Sequence, residues 1–249
     1  MLSTCSKCLL VTATPPKMLQ EDFNENEEDE IINPWTEDNL IYSYSLSQAI
    51  KDGYICDYEV YIPNVEVQYE QKDELYAKSK FLAEGMLRKN CKGTIVYCNS
   101  TQECMDMEPL IKQACNELHF DHQLDIFTLS YKTSPRQRND IFNNFSENDG
   151  RYKIILSVKI LNEGIDLIKT DSIFITNPND KEEDWKRTVQ RMCRAIRKDE
   201  DNPDKIARIF IWSPDATNIP KCFQVLKEID ITFFSKLKIL NSGFYGESM

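Results

Sequence analysis

Five short apolar runs alternate with helical patterns between Thr94 and Trp212, and this alternation constrains the fold more than any other feature of the chain. Thr94-Ile95-Val96-Tyr97-Cys98 shows no polar alternation, as expected of a strand buried on both faces. Asp125–Leu129, Lys153–Ser157, Ser172–Thr176 and Ala207–Trp212 read as further strands. The intervals between them suit crossover helices, so the expected class is α/β, with a parallel sheet built from right-handed βαβ units. Ser134-Pro135 supplies an N-cap and a first-turn proline for a helix that buries Ile141, Phe142 and Phe145. A helix from Thr101 to Leu118 is expected to break near Pro109. Tyr58–Tyr69 reads as extended, Lys78–Arg88 as a helix, and the tail from Pro220 to Leu240 as one or two helices. Phe223, Leu226, Phe233, Phe234 and Leu237 are available to dock that tail.

The formal net charge is −11, from 30 basic and 41 acidic side chains. Residues 1–80 hold 6 basic and 16 acidic residues, with seven of the acids between Glu21 and Glu30. Residues 151–212 hold 13 basic and 11 acidic ones. The total argues against sequence-blind nucleic-acid binding by the whole surface but leaves a local groove open. Nine cysteines without a signal peptide point to reduced thiols in a cytoplasmic or nuclear compartment. No apolar run approaches the ~18 residues of a membrane span, so no membrane partner is expected. Cys5-x-x-Cys8 lacks a second ligand pair. Cys115, His119 and His122 lack a fourth ligand and read as a buried thiol with two surface imidazoles, so no metal site is expected.

A helix opening near Asp180 and Glu183 and running through Arg197 carries the strongest functional signal. On a helical wheel, Trp185, Val189, Met192, Cys193 and Ile196 fall on one side. Arg187, Gln190, Arg191, Arg194 and Arg197 fall on the other. Such a stripe can be a solvated basic face. Here all four charges are arginine, although lysine is the commoner cation in the chain, and arginine is suited to bidentate phosphate recognition. Aimed into a cleft, the stripe could neutralise charge on a transferring phosphoryl group.

These residues bring a family into view. Gln190-Arg191-Met192-Cys193-Arg194-Ala195-Ile196-Arg197 resembles motif VI of superfamily 2 helicases, Q-R-x-G-R-x-x-R. Ile154 to Asp166, ending Glu163-Gly164-Ile165-Asp166, resembles their motif V. Gly93 to Ser100 resembles motif IV, and Thr12-Ala13-Thr14-Pro15 the S/T-A-T of motif III. Ala49–Tyr58 is similar to the segment entering the second motor domain of restriction-subunit-type helicases. The motifs occur in the family order across residues 12–197.

The resemblance implies a RecA-like, P-loop NTPase-like domain of three α/β/α layers, working on ATP held between two such domains. It makes Arg194 and Arg197 the arginine fingers and sets Gln190 near the same phosphates. Glu163, Gly164 and Asp166 become nucleotide-side residues, Gly164 letting the backbone approach and Asp166 accepting from the ribose. Read alone, Gly164 is a turn and Asp166 a cap. The resemblance puts nucleic-acid contacts at Asn99, Ser100, Ser157 and Lys159, and a coupling role at Thr12, Ala13 and Thr14. Ser100-x-x-Glu103 is a capping box that opens a helix whose free N–H groups could hold a phosphate; plain capping beside an exposed lysine is the other reading.

Two departures stand out. Cys193 replaces the motif VI glycine and sits at the edge of the apolar side, where it could fill a packing gap. The 249 residues contain no G-x-x-x-x-G-K-[ST] phosphate loop and no D-E-x-[DH] box. The expected organisation is a remnant of a first motor domain plus acidic loop at 1–40, a lead-in at 41–80, the helicase C-terminal domain at 81–213 and a helical tail at 214–249. Leu9–Ala13 would be a strand belonging with the first domain. The expected function is the second motor domain of an ATP-dependent helicase or translocase on DNA or RNA. ATP and Mg²⁺ would be bound mainly by a missing first domain, or by a partner protein or domain, that carries the absent motifs. A non-catalytic nucleic-acid-binding or interaction module, or a gene fragment, are the alternatives.

Overall fold

Along each central strand, successive side chains enter two different cores. Ile95 and Tyr97 point into one and Val96 and Cys98 into the other; Ile173 and Ile175 divide from Phe174 in the same way. The computed structural model describes residues 44–64, 71–158, 167–178, 182–213 and 221–240. The chain divides into units Met1–Tyr44 and Ser45–Met249, and the sheet with its helices belongs to the second.

A short helix, α1 (Leu46–Lys51), leads to strand β1 (Asp57–Pro63) and helix α2 (Gln71–Lys89). Then come β2 (Gly93–Tyr97), α3 (Thr101–Glu117), β3 (Leu124–Leu129), α4 (Pro135–Ser146) and β4 (Tyr152–Ser157). β5 (Ser172–Ile175), α5 (Glu182–Ala195) and β6 (Ile206–Ile211) follow, then α6 (Lys221–Ile229), α7 (Phe233–Lys236) and β7 (Leu237–Leu240). The seven strands lie in the order β3-β4-β2-β5-β6-β1-β7, and every neighbouring pair is parallel. Residues of α2 and α3 bury one face of the sheet. Residues of α4, α5, α6 and α7 bury the other. The expected parallel α/β/α architecture is therefore present.

Close packing fixes two glycines. A Cβ on Gly85, in the middle of α2, would stand 2.4 Å from the Phe210 ring. A Cβ on Gly93, at the start of β2, would stand 2.3 Å from the Lys169 carbonyl oxygen.

Three elements differ from expectation. α3 runs unbroken through Pro109. Pro109 and Met105 both lie on the exposed side of that helix, so water can satisfy the Met105 carbonyl that loses its N–H partner. The tail is not wholly helical: Leu237–Leu240 pairs parallel to β1 as an edge strand. β1, in the stretch read as a lead-in, lies inside the sheet between β6 and β7. Phe223, Leu226 and Phe233 dock as expected, whereas Phe234 is exposed.

Candidate nucleotide and nucleic-acid interface

α5 divides as its sequence pattern predicts. Val189, Met192, Ala195 and, just past the helix, Ile196 are buried against the sheet. Arg187, Arg191, Arg194 and Arg197 are half-buried and Gln190 is exposed. The Arg191 guanidinium carbon lies 4.7 Å from the centroid of the Tyr97 ring, a cation–π contact at the carboxyl end of β2. The Tyr97 hydroxyl is buried with no hydrogen-bond partner among the described residues. Burial pushes its pKa up to about 12, while Arg194, Arg191 and Arg197 pull it down. Arg191 thus sits on the ring at the end of β2, and the charges of Arg194 and Arg197 bear on its hydroxyl.

The backbone around Arg197 is pinned from three directions. Ile55 bridges it antiparallel, and the Cys56 N–H donates to the Ile196 carbonyl at 2.9 Å. The buried Lys205 ammonium donates to the Arg197 carbonyl at 2.8 Å and to the Ile168 carbonyl at 3.3 Å. Burial lowers the Lys205 pKa. Cys193 does not fill a packing gap. It is exposed, one residue before Arg194, because its position on α5 turns it outward rather than to the sheet.

α3 begins beside this cluster. Ser100 is its N-cap, in extended backbone, and its hydroxyl accepts the Glu103 N–H at 3.0 Å. The returning Glu103 carboxylate accepts the N–H of Asn99 at 2.7 Å, one residue earlier than the capping box implies. Its second oxygen accepts from Asn177 Nδ2 at 3.0 Å, and Asn177 Oδ1 accepts from Lys78 Nζ at 2.9 Å. Sequence patterns did not reveal this cross-strand support, because Asn177 is distant in sequence. Asn99 and Ser100 are exposed.

Ser157 is placed differently from the surface contact expected of it. It is the last residue of β4, fully buried, with a hydroxyl that meets no partner among the described residues. Its carbonyl accepts the Cys98 N–H at 2.9 Å. A strand-end serine carries no sequence mark that separates an inward from an outward hydroxyl. Lys159, Glu163, Gly164 and Asp166 lie outside the described residues, as do Thr12, Ala13 and Thr14.

Tyr97 is in register with both Ser157 and Ile175, so the ends of β4, β2 and β5 stand side by side. The crevice outside the carboxyl ends of parallel strands is where open α/β sheets take ligands. Among the described residues no three His, Cys, Asp or Glu side chains gather as a metal site. Cys115 is buried and His119 and His122 are exposed. No described helix is long and apolar enough to cross a membrane.

Residues 77–199 match the helicase conserved C-terminal domain family. The fold is similar to that of the DNA-bound ATP-dependent Type ISP restriction-modification enzyme LlaBIII, with a TM-score of 0.62 and 16% identity over 81% of this chain. It is also similar to a fragment assigned as an HsdR subunit of a type I restriction enzyme from Vibrio vulnificus YJ016, with a TM-score of 0.57 and 19% identity over 83% of this chain. The chain spans 16% and 42% of the lengths of those two structures. No curated protein matches the sequence.

Proposed function

Because residues 77–199 match the helicase conserved C-terminal domain family and the described strands form one parallel sheet, we propose that the chain is the second motor half of an ATP-dependent superfamily 2 nucleic-acid helicase or translocase. In this reading ATP is the substrate. Arg194 and Arg197 reach its γ-phosphate from across a cleft, and Gln190 hydrogen-bonds nearby. Glu163, Gly164 and Asp166 attend the nucleotide on the same side. The guanidinium forks match phosphate oxygens in pairs, and half-burial strengthens each contact relative to open water. The pinned Arg197 backbone limits how far that finger drifts, which is the pre-organisation that phosphoryl transfer rewards. Mg²⁺ would supply charge neutralisation at the β- and γ-phosphates, and would be held by a first motor domain or partner that carries the phosphate loop and the Asp-Glu box.

DNA or RNA passes over Asn99, Ser100 and Lys159, where the exposed N-terminus of α3 offers its N–H groups to a backbone phosphate. The free thiols of Cys56, Cys91, Cys98, Cys104, Cys115 and Cys193 fit a reducing cytoplasmic or nuclear setting.

The observation that carries this reading is the seat of the Arg191 guanidinium over the Tyr97 ring at the end of β2, with half-buried Arg194 and Arg197 following on the same stripe. The test is to mix the chain with a phosphate-loop protein that co-purifies with it and to measure nucleic-acid-stimulated ATP hydrolysis. Arg194→Ala and Arg197→Ala are each expected to lower the rate by about 10³-fold or more. An unchanged rate in both variants overturns the finger assignment.

The exposed Cys193 favours a second reading, a nucleic-acid-binding or interaction module without turnover. A thiol where the family has glycine crowds a close approach to Arg194. Under that reading Cys193→Gly leaves hydrolysis by the mixture at background.

A further inference from the structure

β3 is the outermost strand at one side of the sheet, and its carboxyl end turns into α4 through residues 130–134. Tyr131 stands on that turn with 77% of its surface exposed. An aromatic ring of that size usually finds apolar cover, and its exposure here is not a matter of slack. The Ser130 N–H donates to Thr133 Oγ1 at 3.0 Å, and the Lys132 N–H donates to Ser130 Oγ at 3.2 Å. The Thr133 N–H donates to the Ser130 carbonyl at 3.0 Å, and Ser134 closes a reciprocal capping box with Gln137. The turn is fixed with the ring held outward.

The surroundings of the ring are cationic. Lys132 Nζ lies 5.7 Å from the Tyr131 centroid. Residues 130–139 carry Lys132, Arg136 and Arg138 and no carboxylate, in a chain whose net charge is −11. Lys132 and Arg136 are exposed. An outward aromatic ring among cations is the combination with which proteins hold single strands: the cations track phosphates and the ring takes a base face. The position fits the same ligand. Only β4 separates β3 from β2, so the turn lies about 10 Å, two strand spacings, along the edge from Asn99 and Ser100.

We propose that Tyr131 is a base-stacking platform for single-stranded nucleic acid, flanked by Lys132 and Arg136 as phosphate contacts. The inference rests on the proposed passage of DNA or RNA over Asn99 and Ser100. It adds to that passage a contact with a base, where the α3 end offers contacts to the backbone alone. It predicts a strand lying from the start of α3, past the end of β4, to the turn after β3.

The experiment uses the full chain and fluorescence anisotropy with strands of about a dozen nucleotides, within the site sizes of such grooves. Oligothymidylate, oligouridylate and an abasic strand of equal phosphate count are titrated in parallel at low salt. The wild-type chain is expected to hold the two base-bearing strands more tightly than the abasic one. Tyr131→Ala is expected to weaken both base-bearing strands by about five-fold or more and to leave the abasic strand unchanged. Tyr131→Phe is expected to retain wild-type binding, since stacking needs the ring and not the hydroxyl. Equal weakening of all three strands by Tyr131→Ala, or no weakening of any, overturns the platform while the nucleic-acid reading stands. A wild-type chain that holds none of the strands overturns both.

Discussion

The two faces of the sheet are filled by different chemistry. On the α2/α3 face the strands present rings: Phe174, Phe210 and Trp212 surround Phe81 with centroid distances of 5.8, 5.9 and 5.9 Å. On the opposite face the strands present Ile95, Ile155, Ile173, Ile175, Ile209 and Ile211, with two tyrosines among them. Each tyrosine leads to a charge. The Tyr58 hydroxyl donates to Asp230 at 2.7 Å, and the Tyr97 ring lies under Arg191. The ring face reaches charge as well, Trp212 Nε1 donating to Glu74 at 3.0 Å. What sets the other face apart is aliphatic packing, with a guanidinium of the candidate site seated on one of its two tyrosines.

The contrast between the faces breaks most visibly at Gly85, where the ring face tolerates no added volume. Gly85→Val forces a Cβ against Phe210 and is expected to cost about 2–3 kcal/mol or more in urea unfolding, through displaced rings. A cost below about 1 kcal/mol would show that the ring face yields as readily as a surface.

A middle-sized effect is expected on the aliphatic face. Asp230 is fully buried. Burial alone would raise its pKa, but hydrogen bonds from Thr232, Tyr58 and Lys236 outweigh it and hold the carboxyl below its ordinary value. A depressed carboxyl contributes stability in full above its unfolded pKa of about 4, and loses it as pH falls through the lower folded value. Asp230→Asn is expected to lower stability by about 1–3 kcal/mol at neutral pH, with the gap to wild type shrinking below about pH 4. A gap that stays constant with pH would show that the charge on Asp230 contributes nothing beyond its hydrogen bonds.

The smallest effect is expected at Tyr97. Its hydroxyl has no partner among the described residues, so Tyr97→Phe keeps the ring under Arg191 and removes only a desolvated group. The change in stability is expected within about 1 kcal/mol, on the stabilising side. A loss beyond that would reveal a partner for the hydroxyl and blur the distinction between the two tyrosines.

Elements with strong local patterns were legible in the sequence. β2 is a continuous apolar run, α4 carries its own capping box, and α5 separates apolar from guanidinium residues along one helix. β7 was not legible: four edge residues hold a strand only because β1 lies beside them, and no local pattern encodes a partner so distant. The unbroken α3 shows the converse, a breaker residue made harmless by facing water. In the site, Ser100 was readable as a cap, and the clustering of arginines was readable from spacing. The seat of Arg191 on Tyr97 and the support of Glu103 by Asn177 were not, because both join segments that meet only in the folded sheet.

The placement of β1 has a consequence for how the chain is made. Asp57 pairs with Ile206, and Val60 with Leu237. β1 therefore emerges from the ribosome long before either neighbour exists. At the usual pace of about 5–20 residues per second, it waits roughly 7–30 seconds for β6. During that interval Tyr58, Val60 and Tyr61 belong to a strand without its neighbours, the kind of apolar edge that invites pairing with other chains.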